Sequence, residues 1–312
     1  MELKIFGGQA SCQLAEKICG HLGIGVGKSE FVKFSDKEFE VRYSENIRGK
    51  EIYIVQSTYA PADNFMELLL WLDAAERAAA GSITAVIPYF GWSRQDRKAR
   101  SRVPISAKLA ANAIALAGAQ RILTVDLHSA QLQGFFDLPV DNLYARPVFV
   151  DFLKKIFNPD DFVVMGPDVG AAKLAESYAQ RLNGRPVALA YKTRLAPNQA
   201  KIQRIVGDVQ GKNVLIVDDI IDTAGTIIGV TDKLKEMGAK DIYAFCTHGL
   251  FSGSAVPNIE KSQLSKVFVT DSVPLKEEAA KSGKIEVISI SALLAETIRR
   301  AHNNESISSL FE

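Results

Sequence analysis

Val214-Leu215-Ile216-Val217-Asp218-Asp219-Ile220-Ile221-Asp222-Thr223-Ala224-Gly225-Thr226 passes from an apolar run through paired acids into a small, hydroxylated turn. The run reads as a buried strand. Thr226 to Met237 follows as a helix that Gly238 stops. A loop between a strand's carboxyl end and a helix's amino end is where open α/β sheets bind ligands. Backbone N–H groups of Asp222 to Thr226, the helix dipole and the hydroxyls of Thr223 and Thr226 suit a phosphate. Ala224 is small, and Gly225 lets the backbone come close to a ligand. Asp218 and Asp219 would repel that anion, so they must face another part of the same molecule. Adjacent sugar hydroxyls are good donors to carboxylates. A phosphate at one end and a diol at the other describe a phosphorylated pentose. The plain alternative is an acidic turn with a helix cap; against it stands the coincidence of three acids with the Thr-Ala-Gly-Thr run.

The same alternation extends in both directions. Ile52 to Val55, Ile83 to Ile87, Ile122 to Val125, Phe162 to Met165 and Val187 to Ala190 are short apolar runs. Ile242 to Phe245, Val267 to Val269 and Val287-Ile288 complete the set. Continuous apolar runs bounded by turn signals suit strands covered on both faces, hence mostly parallel sheets. Between them lie helix signals: Asp63 as a cap for a helix ending before Gly81, Pro104 for a first turn and Gly118 for a stop. The class is therefore α/β. Gly49 to Gln56 echoes Gly211 to Asp218, each followed by a polar loop, a helix and another strand. Two similar domains follow, each a mostly parallel sheet flanked by helices, with a boundary between Ala145 and Pro159 and a division into 1–145 and 146–312. The tail from Asn303 ends Leu310-Phe311, which can dock or fray.

Bulk properties narrow the partners. The 312 residues suit two domains. A formal net charge of +1 gives no bulk case for nucleic acid or membrane. Cys12, Cys19 and Cys246 are scattered, which excludes a disulfide framework and fits a reducing compartment. Neither a signal peptide nor an apolar run of the ~18 residues that a span needs is present, and a cytoplasmic location is expected. Gly23 to Ser29 looks like a P-loop, but Leu22 stands where the pattern needs glycine, and Lys28 and Glu30 break the dinucleotide pattern.

The acidic loop closely resembles the phosphoribosyl diphosphate loop of type I phosphoribosyltransferases and of ribose-phosphate pyrophosphokinases. Other motifs choose between the two. Arg94-Gln95-Asp96-Arg97-Lys98, with Arg100 and Arg102, is a cationic loop suited to a polyphosphate, a solvated basic face being the alternative. With Ser101 to Lys108 it is similar to the nucleotide loop of the pyrophosphokinases. Phe34-Ser35-Asp36-Lys37-Glu38 resembles their other nucleotide element, in which an exposed ring stacks on adenine. The resemblance implies ATP contacts at Phe34, Asp36, Lys37, Glu38, Arg94, Gln95 and Asp96. It implies ribose 5-phosphate contacts at Arg194, Asp218, Asp219, Asp222, Thr223, Ala224, Gly225 and Thr226. It places His128 and Asp168 on Mg2+ accompanying ATP; by itself Asp168 reads equally well as a helix cap, and His128 can act directly or through water.

Lys192-Thr193-Arg194 opens a polar stretch reaching Arg204 that contains no acid and suits a mobile lid. The family's matching Lys and Arg close over the reacting phosphates, making Lys192 and Arg194 the expected catalytic pair. The resemblance covers nearly the whole chain. It implies diphosphoryl transfer from ATP to ribose 5-phosphate in a homo-oligomer, commonly a hexamer. A phosphoribosyltransferase and a non-catalytic associated protein are the competing classes; the first needs no second nucleotide half, and the second would have lost the lid or the loop. In regulated members Arg48, Arg102, Asn142 and C-terminal serines, here Ser306 and Ser308, hold a phosphate activator or ADP. Ser129-Ala130-Gln131 departs from those members, whose small hydroxyl residue comes one position later.

Overall fold

The computed structural model describes residues 1–196 and 199–310, and for 192–196 and 199–202 the backbone alone. Two compact units emerge. One holds Met1–Tyr144, Ser272–Pro274 and Ile290–Glu312; the other holds Ala145–Asp271 and Leu275–Ser289. The chain crosses between them after Tyr144, but its last helix returns to the first unit. The division into 1–145 and 146–312 misses that return.

In the first unit β1 (Leu3–Gly7), α1 (Cys12–Leu22), the hairpin β2 (Ser29–Lys33) and β3 (Phe39–Tyr43), then β4 (Glu51–Val55) open the chain. α2 (Asp63–Arg77), β5 (Ser82–Ile87), α3 (Ser106–Leu116), β6 (Arg121–Val125) and β7 (Val140–Leu143) follow. The sheet runs β1-β4-β5-β6-β7, every pairing parallel. Its central strands β4, β5 and β6 are mostly apolar, as suits strands covered on both faces. Trp71, Leu68 and Leu72 of α2 and Ile114 of α3 pack with Ile52, Ile54, Ile83 and Ile122 in one core cluster. Asp63 is the first residue of α2 rather than its cap, and its carboxylate lies 3.4 Å from Lys33.

The second unit adds α4 (Arg146–Ile156), β8 (Phe162–Gly166), α5 (Ala172–Arg181), β9 (Val187–Ala196) and β10 (Gln199–Val206). β11 (Asn213–Ile221), α6 (Gly225–Glu236), β12 (Ile242–Gly249), α7 (Ala255–Lys261), β13 (Lys266–Thr270), α8 (Glu277–Ala280) and β14 (Ile285–Ile288) complete it. Its sheet runs β10-β9-β8-β11-β12-β13-β14. Within this sheet only the β9–β10 pairing is antiparallel among the described residues. The stretch read as an irregular lid is thus a hairpin at the sheet's edge, with Lys192 opposite Ile202 and Arg194 opposite Ala200.

α9 (Ser291–His302) packs on α1 within the first unit, burying Leu294, Ala295 and Ile298. Each fully buried aliphatic chain contributes roughly 1.5–3 kcal/mol. His302 Nδ1 lies 2.6 Å from Glu51 Oε2, and Tyr53 donates to the other Glu51 oxygen. The tail docks as far as it is described: Arg300 donates to Ser306 O and Ser309 Oγ, while Arg299 pairs with Glu305. Phe311 lies outside the described residues.

Candidate active site

β11 does not stop at Val217. Its parallel pairing with β12 continues through Asp218 opposite Cys246, Ile220 opposite His248 and Ile221 opposite Gly249. Asp218 and Asp219 therefore sit on a strand, not in a loop, and the turn proper is Asp222 to Ala224. Asp218 Oδ1 accepts from the Asp219 N–H at 3.0 Å. Burial, then the neighbouring Asp219 and Asp168 carboxylates, hold the Asp218 carboxyl well above the ordinary carboxylate range. The Cys246 thiol beside it is also pushed up, by burial and by the same two β11 carboxylates.

The turn ends in Ala224 at φ 61, a left-handed conformation that swings the chain into α6. Ala224, at the N-cap of α6, has no side chain able to cap it and is buried. A helix amino terminus without a side-chain cap presents N–H donors and a positive dipole end to whatever anion approaches. A side chain at Gly225 would have Thr223 Oγ1 as its nearest neighbour, 3.9 Å away, so the mouth of the turn is open. The turn is braced from below: Leu250 donates to Ile221 O at 2.8 Å and Ser252 to Asp222 O at 2.9 Å. These bracing residues escape sequence reading, since nothing local in them signals a site.

Asp168 follows β8 in the same unit. Its Oδ1 accepts from Ala171 N–H at 3.1 Å, the geometry of a helix cap. Its charge is felt at Asp218, so the three acids share one neighbourhood.

In the first unit, Phe34 to Glu38 form the tip of the β2–β3 hairpin. Phe34 N–H donates to Glu38 O, Lys37 N–H to Phe34 O, and Asp36 Oδ1 accepts from Glu38 N–H. Lys37 takes φ 75 to close the turn. The Phe34 ring is 48% exposed, unlike the buried rings of the sheet, and is therefore available to a flat partner.

The Arg94 loop leaves β5 through Tyr89 and Gly91. Thr58 donates to Tyr89 O and accepts from Gly91 N–H at 2.7 Å. A Cβ at 91 would stand 2.0 Å from Thr58 O, which is why the residue is glycine. Beyond it, Ser106 at the start of α3 donates to Gln95 Oε1 at 2.6 Å, and Ala107 donates to Gln95 O. Arg94 is exposed and Asp96 half-buried. His128 is exposed just after β6, in a turn started by Asp126 at φ 42.

Asn142 is 4% exposed, and its Oδ1 accepts from Leu127 N–H at 3.0 Å, which anchors the turn leading to His128. Arg48, Arg102, Ser306 and Ser308 are exposed. The side chains of Lys192 and Arg194 lie outside the described residues.

Parallel sheets carrying an uncapped helix amino terminus beside clustered acids define an anion-receptive α/β protein with its binding chemistry at strand ends. Residues 3–118 match the model of the N-terminal domain of ribose phosphate pyrophosphokinase, and residues 185–312 match that of the phosphoribosyl synthetase-associated domain. A ribose-phosphate pyrophosphokinase of Xanthomonas axonopodis pv. citri is 48% identical, with 99% of this chain and 98% of the relative covered. One from Porphyromonas gingivalis is 48% identical over 98% of this chain and 97% of its own length. The crystal structure of phosphoribosylpyrophosphate synthetase from Mycobacterium smegmatis superposes with a TM-score of 0.91 at 39% identity, covering 97% of this chain and all of that one. The chain belongs to the ribose-phosphate pyrophosphokinase family.

Proposed function

We infer that this chain is a ribose-phosphate diphosphokinase serving nucleotide biosynthesis. It transfers the β,γ-diphosphoryl group of ATP to the 1-hydroxyl of ribose 5-phosphate, giving 5-phosphoribosyl 1-diphosphate and AMP. The observation that carries the reading is the end of β11, where clustered carboxylates meet an uncapped helix amino terminus.

Backbone donors of Asp222 to Thr226 hold the 5-phosphate, and Asp218 and Asp219 accept from ribose hydroxyls. The Phe34 ring stacks on adenine, with Asp36, Lys37 and Glu38 around it. Arg94 pairs with phosphate oxygens, and Gln95 and Asp96 complete the ATP contacts. Ser106 and Thr58 set the shape of that loop. Lys192 and Arg194 offset the negative charge that builds on the transferred phosphoryl oxygens.

Among the described residues no group of three or more His, Cys, Asp and Glu forms a protein cage for a metal. Magnesium suits such a donor set, because it keeps several waters and takes one or two carboxylates plus substrate phosphates. Asp168 and His128 are the residues that would hold it, His128 directly or through water. When bound, the ion screens phosphate charge and orients the diphosphoryl group. Asp168 helps from the protein side by keeping one oxygen fixed on the helix that follows it. Arg48, Arg102, Asn142, Ser306 and Ser308 remain the proposed contacts of a regulatory phosphate or ADP.

AMP release from ATP that depends on ribose 5-phosphate tests the activity. AMP formed without the sugar, or none with it, would overturn the reading. A phosphoribosyltransferase would instead consume 5-phosphoribosyl 1-diphosphate. We also expect a homo-oligomer, of hexamer size; light scattering that reads monomer at every concentration of a dilution series would remove that expectation.

A further inference from the structure

Immediately after β12 the chain makes a turn whose backbone bonds to the phosphate loop. Leu250 N–H donates to Ile221 O at 2.8 Å, Phe251 N–H to the same oxygen at 3.4 Å, and Ser252 N–H to Asp222 O at 2.9 Å. These carbonyls belong to the last residue of β11 and the first residue of the turn. Two successive carbonyls of the loop are thereby fixed by three successive donors.

Phe251 is held at φ 44, a region that bulky L residues rarely occupy. Such a conformation persists only where the surroundings over-determine it. Its ring is 4% exposed and belongs to the same core cluster as Ile221, Ala224 and Ile227. Those three residues form the start, the hinge and the first helical turn of the phosphate loop. The ring also explains Gly249. A Cβ there would stand 2.5 Å from Phe251 Cε2 and 3.0 Å from Val269 Cγ1, so the strand ends in glycine to let the ring lie across it.

We propose that Phe251 is a positioning residue for ribose 5-phosphate. Its buried ring fixes the turn Leu250–Ser252, and the turn fixes the carbonyls of Ile221 and Asp222 so that the amides after Asp222 converge on one phosphate. Ala224 in the left-handed region needs this template. A loop free to relax φ at Ala224 would leave the left-handed region and lose the convergence of its donors. The inference rests on the assignment of Asp222 to Thr226 as the 5-phosphate site, and it places the control of sugar affinity in a segment that touches no substrate.

The test uses the full chain carrying Phe251→Leu, and separately Gly249→Ala, which keeps the ring but displaces it by one methyl group. Each is screened for a cooperative thermal transition, then measured in two ways. First, the Kd for ribose 5-phosphate is expected to rise about tenfold or more, while the KM for ATP stays within about twofold. A merely structural defect would lower the active fraction for both substrates together. Second, hydrogen exchange of the peptide spanning 221–227 in the ligand-free protein is expected to speed up about tenfold. Should Phe251→Leu fail to fold, Gly249→Ala decides. Unchanged exchange in 221–227 in a folded variant overturns the proposal. So does equal weakening of ATP and sugar. Parent protein that binds no ribose 5-phosphate, with exchange still accelerated in the variants, would instead retire the ligand assignment and leave the coupling between turn and loop standing.

Discussion

Lys192→Ala is expected to lower kcat by about 10²–10³-fold while the Kd for ribose 5-phosphate changes by less than about threefold. The reaction moves a diphosphoryl group between two oxygens. Its transition state carries spread negative charge and asks the protein for positioned cations more than for proton transfer. Arg94 and its neighbours supply charge in the first unit. In the second, the basic residues of the β9–β10 hairpin stand in a stretch without a single acid to neutralise them. Lys192 and Arg194 lie two apart in the chain of β9. An interaction made only in the transition state lowers kcat and kcat/KM together and leaves ground-state binding alone. Single-turnover kinetics with isothermal titration of the sugar separate the two. Unchanged turnover would remove Lys192 from the catalytic machinery; matched losses in turnover and sugar affinity would move it into ground-state binding. The Arg194→Ala, Lys192→Ala double variant should lose less than the product of the single losses, because two groups stabilising one charge are not additive.

What the sequence made legible was set by how local each signal is. The apolar runs at Ile52, Ile83, Ile122 and Val214 became central parallel strands because burial on both faces demands such runs. β2 and β3 were illegible for the opposite reason. Phe31 and Val41 alternate with exposed residues in a two-stranded hairpin, and no continuous run forms. β10 hides in the same way behind Lys201 and Arg204, and its pairing with β9 comes from the partner rather than from its own composition. Asp218 and Asp219 read as loop residues because acids are rare in strands; the β12 backbone opposite them keeps the ladder going. The expected chemistry does not turn on that difference, since it asks only that the acids precede a helix amino terminus. The second role of Asn142 was not legible because its environment is tertiary: only the fold shows its side-chain oxygen turned onto Leu127 N–H. The return of α9 to the first unit and the grip of Phe251 on the phosphate loop are of the same kind. Both join residues far apart in sequence, and neither leaves a periodicity to read.

Asp218→Asn should make the ligand-free protein more stable and the sugar complex weaker, two effects of opposite sign from one atom exchange. The folded state holds the Asp218 carboxyl well above its usual range through burial and the Asp219 and Asp168 charges. The unfolded chain has no such crowding, and its aspartates titrate near a pKa of about 3.9. Between these two values the folded protein binds a proton that the unfolded chain releases, so this group's contribution to stability is full below the unfolded value and is lost as pH rises through the folded one. Above the folded value, the charge is a liability. Asparagine has the same shape and keeps an oxygen for the Asp219 N–H, but carries no charge. In chelator-treated protein the variant's Tm is expected to exceed the parent's by roughly 2–6 °C at pH 8, since about 1 kcal/mol moves a domain of this size by roughly 2–4 °C. The gap should narrow as pH falls. Ribose hydroxyls reverse the balance, because donors favour the charged carboxylate, and charge-assisted hydrogen bonds are worth about 1.5–3 kcal/mol. The Asp218→Asn protein would therefore bind ribose 5-phosphate roughly 10–100-fold more weakly. The parent should release a fraction of a proton on binding, visible as a calorimetric enthalpy that varies with the buffer's ionisation heat, and Asp218→Asn should abolish that variation. A variant that is no more stable at pH 8 and binds the sugar as tightly as the parent would mean that the acids of β11 neither strain the empty site nor touch the ribose.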